Sequence, residues 1–359
     1  MSRPIAQVRA DCREAFDGRS KALSALRGET ILVTGGTGFV GTWLAEALAC
    51  LNDDFGFGCR IILLARGVER FAAARPHLAA RRDVKLLRAD VRHLSELPRE
   101  TNRIVHAAGT PDNRAHASTP VETIATIVEG TANVVRALDP VSDFRRLLHL
   151  SSGYVYGAQP WTLDAIPEAF DGGAPTLGSA SSAYGEAKRC AEALCAAARS
   201  ERRLPIVVAR PFAFLGPYQP LDTPWAANNF LLDALSGRGI RIQGDGETVR
   251  SYMYASDMAY WLLSLLTAEE AVNRAWNVGS PEATTLRALA QTIAGGMDPV
   301  PEVRLHAATR AGVPRTRFVP DVSAARERLR LDLRVPLAQA VEKTLRWNRE
   351  ATATAGTAR

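Results

Sequence analysis

Short apolar runs alternate with stretches of helical spacing through the first 210 residues of the chain. Ile31-Leu32-Val33, Arg60-Ile61-Ile62-Leu63-Leu64-Ala65, Val84-Lys85-Leu86-Leu87-Arg88-Ala89 and Arg103-Ile104-Val105-His106 are four such runs. Arg145-Arg146-Leu147-Leu148-His149-Leu150 and Pro205-Ile206-Val207-Val208-Ala209-Arg210 are two more. Runs of this length read as buried strands. Between them, apolar residues recur every three to four positions from Trp43 to Ala49, over 120–138 and over 181–200, which predicts helices. Strands alternating with helices predict an α/β protein built on a doubly wound parallel sheet covered on both faces. We assign that domain to residues 29–210. Residues 1–28 read as an N-terminal helical arm carrying Ile5, Val8, Cys12, Phe16, Leu23 and Leu26, with Gly28 ending it. Beyond Pro211 the rhythm changes: Pro and Gly become frequent and the elements shorten. Residues 211–350 therefore predict a smaller C-terminal α/β lobe that binds substrate, with some elements returning to the main domain. The Ala/Thr-rich stretch 351–359 predicts a disordered tail.

Composition narrows the function. With 47% hydrophobic and 23% charged residues the 359-residue chain is an ordinary soluble type. The formal net charge of +6 comes from scattered arginines rather than a basic tract with interleaved aromatics, so nucleic acid is excluded as a partner. A basic balance suits an anionic substrate, and a solvated arginine-rich surface explains it equally well. Cys12, Cys50, Cys59, Cys190 and Cys195 show no paired spacing and no histidine at metal-ligand distance. They read as reduced thiols of a cytoplasmic protein, with no metal site. No run resembles a signal peptide or reaches membrane-spanning length, so no membrane partner is expected.

The candidate chemistry begins at Thr34-Gly35-Gly36-Thr37-Gly38-Phe39-Val40-Gly41. Glycines between a strand and a helix start let the backbone approach a pyrophosphate, which the free N–H groups of the helix N-terminus attract. The Gly-x-x-Gly-x-x-Gly spacing differs from the Gly-x-Gly-x-x-Gly of ordinary dinucleotide-binding dehydrogenases. At the end of the second strand an acid would bind the ribose of NAD, whereas an arginine suits the extra phosphate of NADP. Here Ala65-Arg66 stands there, with Arg70 one turn on and no acid, which tilts the reading toward NADP. Ala107-Ala108-Gly109 after the fourth strand offers small residues where a cofactor could approach, while His106 reads as a packed structural histidine. Tyr184 and Lys188 are four apart on a helix and share one face. A nearby ammonium, together with the positive nicotinamide ring, should lower the pKa of the phenol so that it can exchange a proton with a substrate hydroxyl. Ser152, at the end of the fifth strand, is placed to bond the same oxygen.

Taken together, the glycine loop, Asp90-Val91, His106-Ala-Ala-Gly109, Ser151-Ser-Gly-Tyr-Val-Tyr-Gly157 and Tyr184-Gly-Glu-Ala-Lys188 resemble the extended short-chain dehydrogenases/reductases, a Rossmann-type fold. Arg210-Pro211, Gly216-Pro217 and Arg250-Ser-Tyr-Met-Tyr-Ala-Ser-Asp257 resemble the nucleotide-sugar epimerase/dehydratase branch, over residues 29–348. The resemblance implies a bound NAD, or NADP given Arg66, and a nucleoside-diphosphate sugar oxidised at a hydroxyl, usually C4. It implies Ser152, Tyr184 and Lys188 as the catalytic trio. The implied cofactor residues are Gly35, Gly38, Phe39, Val40, Gly41, Arg66, Ala107, Ala108, Gly109, Tyr184, Lys188 and Pro211, with Asp90 and Val91 at the adenine. Gly153, Tyr154, Asn229 (or Asn228) and Arg250 would face the substrate, Arg250 as a planar donor to its diphosphate. A homodimer is expected through helices 120–138 and 181–200. Their apolar residues Ile124, Ile127, Val134, Val135, Ala187, Ala191, Leu194 and Cys195 suggest that more than one face is covered.

One departure shapes the expected reaction. The 4,6-dehydratases of this family carry Asp-Glu after the catalytic Ser/Thr, and the decarboxylases keep the glutamate; here Gly153-Tyr154 follow Ser152. A C4 epimerase working through a transient 4-keto sugar needs neither acid, and is the expected function. An NADPH-dependent 4-ketosugar reductase, and a dehydratase or decarboxylase with a non-standard acid and base, are the alternatives. A non-catalytic nucleotide sensor comes last, because the tyrosine and the lysine are both kept.

Overall fold

The computed structural model describes residues 2–110, 112–138, 141, 143–172, 182–306 and 316–357. Six strands fall where the apolar runs place them: β1 (Thr30–Thr34), β2 (Arg60–Ala65), β3 (Val84–Arg88), β4 (Arg103–His106), β5 (Arg146–Leu150) and β6 (Ile206–Pro211). A seventh, Ala275–Val278, comes from far along the chain and pairs with β6. All pairings in this sheet are parallel, in the order Ala275–Val278, β6, β5, β4, β1, β2, β3. The fold is therefore a Rossmann-like parallel sheet with flanking helices.

Alternation along the strands explains why both faces are covered. Ile31, Val33, Ile61 and Leu63 point into one core, while Leu32, Ile62 and Leu64 point into the other. The first core holds α1 (Arg3–Phe16), α2 (Phe39–Phe55) and the helix Ala255–Thr267. Two short helices, α3 (Val68–Ala74) and α4 (Pro76–Ala79), follow β2, and α5 (Asn113–Ser118) follows β4. The second core is closed by α6 (Pro120–Arg136) and α7 (Ala183–Arg202), which pack on each other. Short strand pairs, Phe214–Leu215 with Met253–Tyr254 and Val249–Arg250 with Thr284–Thr285 and Arg317–Phe318, build the region beyond β6.

The C-terminal helix runs over Leu337–Thr357, so most of the stretch read as a disordered tail continues a helix; residues 358–359 lie outside the described residues. The alanines and threonines extend a helix already anchored in the core by Ala340, Val341 and Leu345. The apolar faces of α6 and α7 are also covered within the chain: Ile127, Val134, Val135, Ala187, Ala191 and Cys195 are all buried. Only Ile124, 41% exposed, and the half-buried Leu194 are left of the residues that suggested a second covering partner.

Candidate active site

The site lies at the C-terminal ends of the strands, beside β1 and β4, where the strand order reverses. Between β1 and α2 the glycines are required by packing. A Cβ on Gly36 would come within 2.8 Å of Leu63, and one on Gly41 within 2.5 Å of the Gly36 backbone. Gly35, at φ +65°, brings the turn against the Ala107 carbonyl and Ala108. Gly38 precedes α2 with no side-chain cap on the helix start, and Gly38 and Phe39 line the adjoining cavity.

That cavity measures about 910 Å³, the size of a cofactor pocket. Its wall includes Gly35, Gly38, Phe39, Arg66, Asp90, Val91, Ala108 and Gly109. Gly41 and Ala107 instead pack behind the loop. Val40 and Pro211 are half-buried and contribute nothing to this wall. Arg92 grips Asp90 through a 2.6 Å ion pair, and these bonds hold the Asp90 carboxyl down at about 2. Arg66 reaches Glu122 at 3.7 Å, which partly answers the charge that suggested NADP. His106 is buried between Thr34 (2.7 Å) and Thr131 (3.2 Å), and burial pushes its basicity down to about 3, as suits a packing group.

The three residues expected to be catalytic, Ser152, Tyr184 and Lys188, converge at the end of β5. Lys188 is buried; its Nζ donates to the Leu150 carbonyl at 2.6 Å and lies 5.8 Å from the centre of the Tyr184 ring. Burial lowers the lysine to about 8, although Glu192 opposes the shift. The phenol of Tyr184 moves opposite to the expectation. Burial pushes it up to about 12, and its hydrogen bond with Ser152 only partly offsets this. Counting charges along the helix misses the cost of desolvating a phenolate.

The side of Tyr184 toward Tyr154 is aromatic. Tyr154, 56% exposed, meets Tyr184 edge-on at 5.9 Å and Phe318 at 5.7 Å. Gly153 lies beneath Phe212 and Phe318, 3.0 Å from where its Cβ would stand. The half-buried Arg250 bonds the carbonyls of Val249 (2.7 Å) and Thr316 (3.3 Å), with no carboxylate at ion-pair distance among the described residues. Asn228 is fully buried; its amide nitrogen donates to the Pro220 carbonyl at 2.8 Å, while its Oδ1 has no hydrogen-bond partner among the described residues. Asn229, next to it on the helix Ala226–Leu235, is exposed.

Residues 31–279 match the family described as NAD dependent epimerase/dehydratase. The chain belongs to this family. NAD dependence comes with that membership, and the cavity, its uncapped helix start and its tight glycine turn fit such a dinucleotide. Within the family, the chain is 31% identical over 318 residues to a UDP-glucuronic acid decarboxylase of Arabidopsis thaliana, covering 86% of this chain and 85% of that one. It is 28% identical over 333 residues to one of Danio rerio, covering 91% and 74%. Its fold is similar to that of the UDP-glucuronic acid 4-epimerase of Bacillus cereus, solved with NAD: TM-score 0.76, 20% identity, covering 90% and 98%.

Sequence reasoning missed two supports of the site. Glu192 accepts from Ser151 (2.5 Å) and pairs with Arg210 (2.7 Å), fixing the end of β5 against α7. His116 stacks on Tyr184. Glu192 could have been found as the residue one turn after Lys188; nothing in the spacing of His116 signals its contact.

Proposed function

We propose that the protein epimerises a nucleoside-diphosphate hexose at C4 through a transient 4-keto intermediate. The observation that carries this reading is the environment of Ser152 and Tyr184. The groups acting on the Tyr184 phenol are Ser152 and Tyr154, and no carboxylate is among them in the described residues. Elimination or decarboxylation would normally draw on such a group, whereas proton and hydride exchange at C4 does not.

Bound NAD supplies the hydride acceptor for C4 and the donor for its return. Tyr184 takes the proton of the C4 hydroxyl and later returns it to the same oxygen. Ser152 donates a hydrogen bond to that oxygen and holds it near the phenol. Lys188, its Nζ on the Leu150 carbonyl and 5.8 Å from the Tyr184 ring centre, packs beside the phenol, and Arg250 and Asn229 bind the diphosphate side of the substrate. The protein acts as a homodimer joined through the exposed end of α6, where Val121 and Ile124 are uncovered; a monomer by light scattering overturns that part.

Identity to UDP-glucuronic acid decarboxylases supports a second reading. It starts with the same C4 oxidation; the C5 carboxyl then leaves as carbon dioxide, C5 takes up a proton, and hydride returns to C4. Incubation with UDP-, dTDP-, GDP- and CDP-hexoses and UDP-glucuronic acid, without added cofactor, separates the readings. A C4 epimer without net change in nicotinamide absorbance supports epimerisation. Release of carbon dioxide from UDP-glucuronic acid supports the second reading. A 4-keto-6-deoxy product, or turnover only of a ketosugar with added NADPH, overturns both.

A further inference from the structure

Besides Ser152 and Tyr154, which follow β5, Tyr184 is held by a contact from α5. His116, on α5, lies flat on the phenol ring, with ring centres 4.2 Å apart and planes 11° from parallel. The histidine is 5% exposed, and its Nε2 sits 2.7 Å from the Thr110 carbonyl oxygen. A carbonyl only accepts, so Nε2 carries the hydrogen and the tautomer is set. Asp112 caps the start of α5, accepting from the Arg114 amide at 2.9 Å. Thr110 follows Gly109, and both line the cofactor cavity. A continuous path therefore runs from the cavity wall through the Thr110 carbonyl and the imidazole to the phenol.

The helix fixes the Cα of Tyr184, but the side chain still turns about two torsions. Ser152 restrains its hydroxyl and Tyr154 touches the ring edge-on. His116 covers a face. We propose that His116 is a positioning residue that aims the Tyr184 hydroxyl by stacking on its ring, and couples that aim to the cofactor loop through Thr110. It does not trade protons with substrate. Burial lowers its basicity, an effect opposed by the Thr110 bond and Asp112 and reinforced by Lys188. The inference rests on Tyr184 being the proton-transfer group and on no particular fate of the ketosugar.

His116→Ala and His116→Phe test it in the full chain. The first readout needs neither substrate nor cofactor: NMR of labelled tyrosine, with the Tyr184 signal identified by its loss in Tyr184→Phe. Ser152, Tyr154, Lys188 and Asp112 remain in both variants, so a change reports the ring stack. Wild-type Tyr184 stays protonated past pH 10, because its phenol is pushed up to about 12. In His116→Ala water reaches the ring, and the phenol ionises closer to its ordinary 10.0; His116→Phe keeps the high value. The second readout is the burst of NADH absorbance when a nucleotide sugar meets the NAD-loaded enzyme. His116→Ala slows it by about 10- to 100-fold, the scale of a misplaced reacting group, with KM changed by less than about twofold. His116→Phe restores most of the rate. The proposal is overturned if His116→Ala changes neither readout, or if His116→Phe is as slow as His116→Ala. If no nucleotide sugar turns over, the proposed reaction fails while the titration still decides the stack.

Discussion

Two lysine–tyrosine pairs sit in this molecule at the same separation, each on a buried lysine. Lys188 Nζ is 5.8 Å from the centre of the Tyr184 ring, and Lys343 Nζ is 5.8 Å from that of Tyr254. Their surroundings differ. Lys343 bonds Asp11 at 2.6 Å and Glu14 at 2.8 Å, and Tyr254 donates to Asp11 at 2.6 Å, locking the N-terminal arm onto the C-terminal helix. Lys188 has one carbonyl and no carboxylate bonded to it, and Tyr184 has Ser152. Burial lowers both lysines, but the two carboxylates reverse the effect at Lys343, whose pKa ends raised, while Lys188 falls to about 8. A fully matched charge holds its proton whatever happens nearby. A lysine short of counter-charge answers to whatever binds beside it, and that separates a fastening from a reaction centre.

The largest expected effect that sharpens this contrast is on rate. Tyr184→Phe keeps the ring and loses the proton carrier, so hydride transfer to NAD falls by about a hundred- to ten-thousand-fold. NAD binding by calorimetry stays near wild type. A rate within threefold of wild type sinks the assignment of Tyr184.

The lysines separate next, in stability. Lys343→Met leaves Asp11 buried without its cation, which costs about 3–5 kcal/mol. Lys188→Met removes a buried ammonium with no carboxylate bonded to it, so the cofactor-free protein is no less stable than wild type by more than about 1 kcal/mol, the worth of its single hydrogen bond. Urea midpoints at neutral pH measure both. If Lys188→Met destabilises as much as Lys343→Met, the contrast is wrong.

A third effect lies in pH dependence. Between about 8 and 10.5 the folded protein has released the Lys188 proton that the unfolded chain still holds. The unfolded state then binds more protons, so stability rises with pH across that window, by a few kcal/mol at most. Lys343 has the opposite sign: its raised folded pKa contributes stability that is complete at neutral pH and lost above 10.5. Wild-type urea midpoints compared with those of Lys188→Met should converge or cross as pH rises toward 10.5. A gap that does not change with pH rejects the lowered lysine.

Much of this arrangement could be read from the sequence because the deciding interactions are local. A strand, a glycine turn and a helix start fix the Gly35–Gly41 cradle over seven residues, and four-residue spacing puts Tyr184 and Lys188 on one face of α7. Ser152 follows because a parallel strand delivers its last residue to the same edge as its neighbours. What could not be read depends on distant neighbours. Ala275–Val278 becomes a sheet strand only because β6 offers an edge 67 residues earlier in register, Ala275 beside Val208 and Asn277 beside Arg210. Asn228 and Asn229 look equivalent until the helix is packed, when one faces Pro220 and the other solvent. The upward shift of Tyr184 needs the burial around it, and the His116 stack needs a loop brought in from β4.

The smallest expected effect is at Tyr254, and it tests the comparison from the inert side. Tyr254→Phe removes the 2.6 Å bond to Asp11 Oδ2 without removing the cation: Lys343 still holds Asp11 Oδ1 at 2.6 Å and Glu14 at 2.8 Å. The carboxylate therefore keeps a charged partner, and the loss is that of one hydrogen bond to a charged group, about 1.5–3 kcal/mol. The ring remains to pack against Trp43, 6.0 Å away, so no cavity opens. Hydride transfer stays within about twofold of wild type because Tyr254 has no path to Ser152 or Lys188. Measured together, Tyr254→Phe and Tyr184→Phe make a cross: one loses stability and keeps its rate, the other keeps its stability and loses its rate. If Tyr254→Phe slows hydride transfer tenfold while the protein stays folded, the arm takes part in the reaction and the division between the two pairs fails.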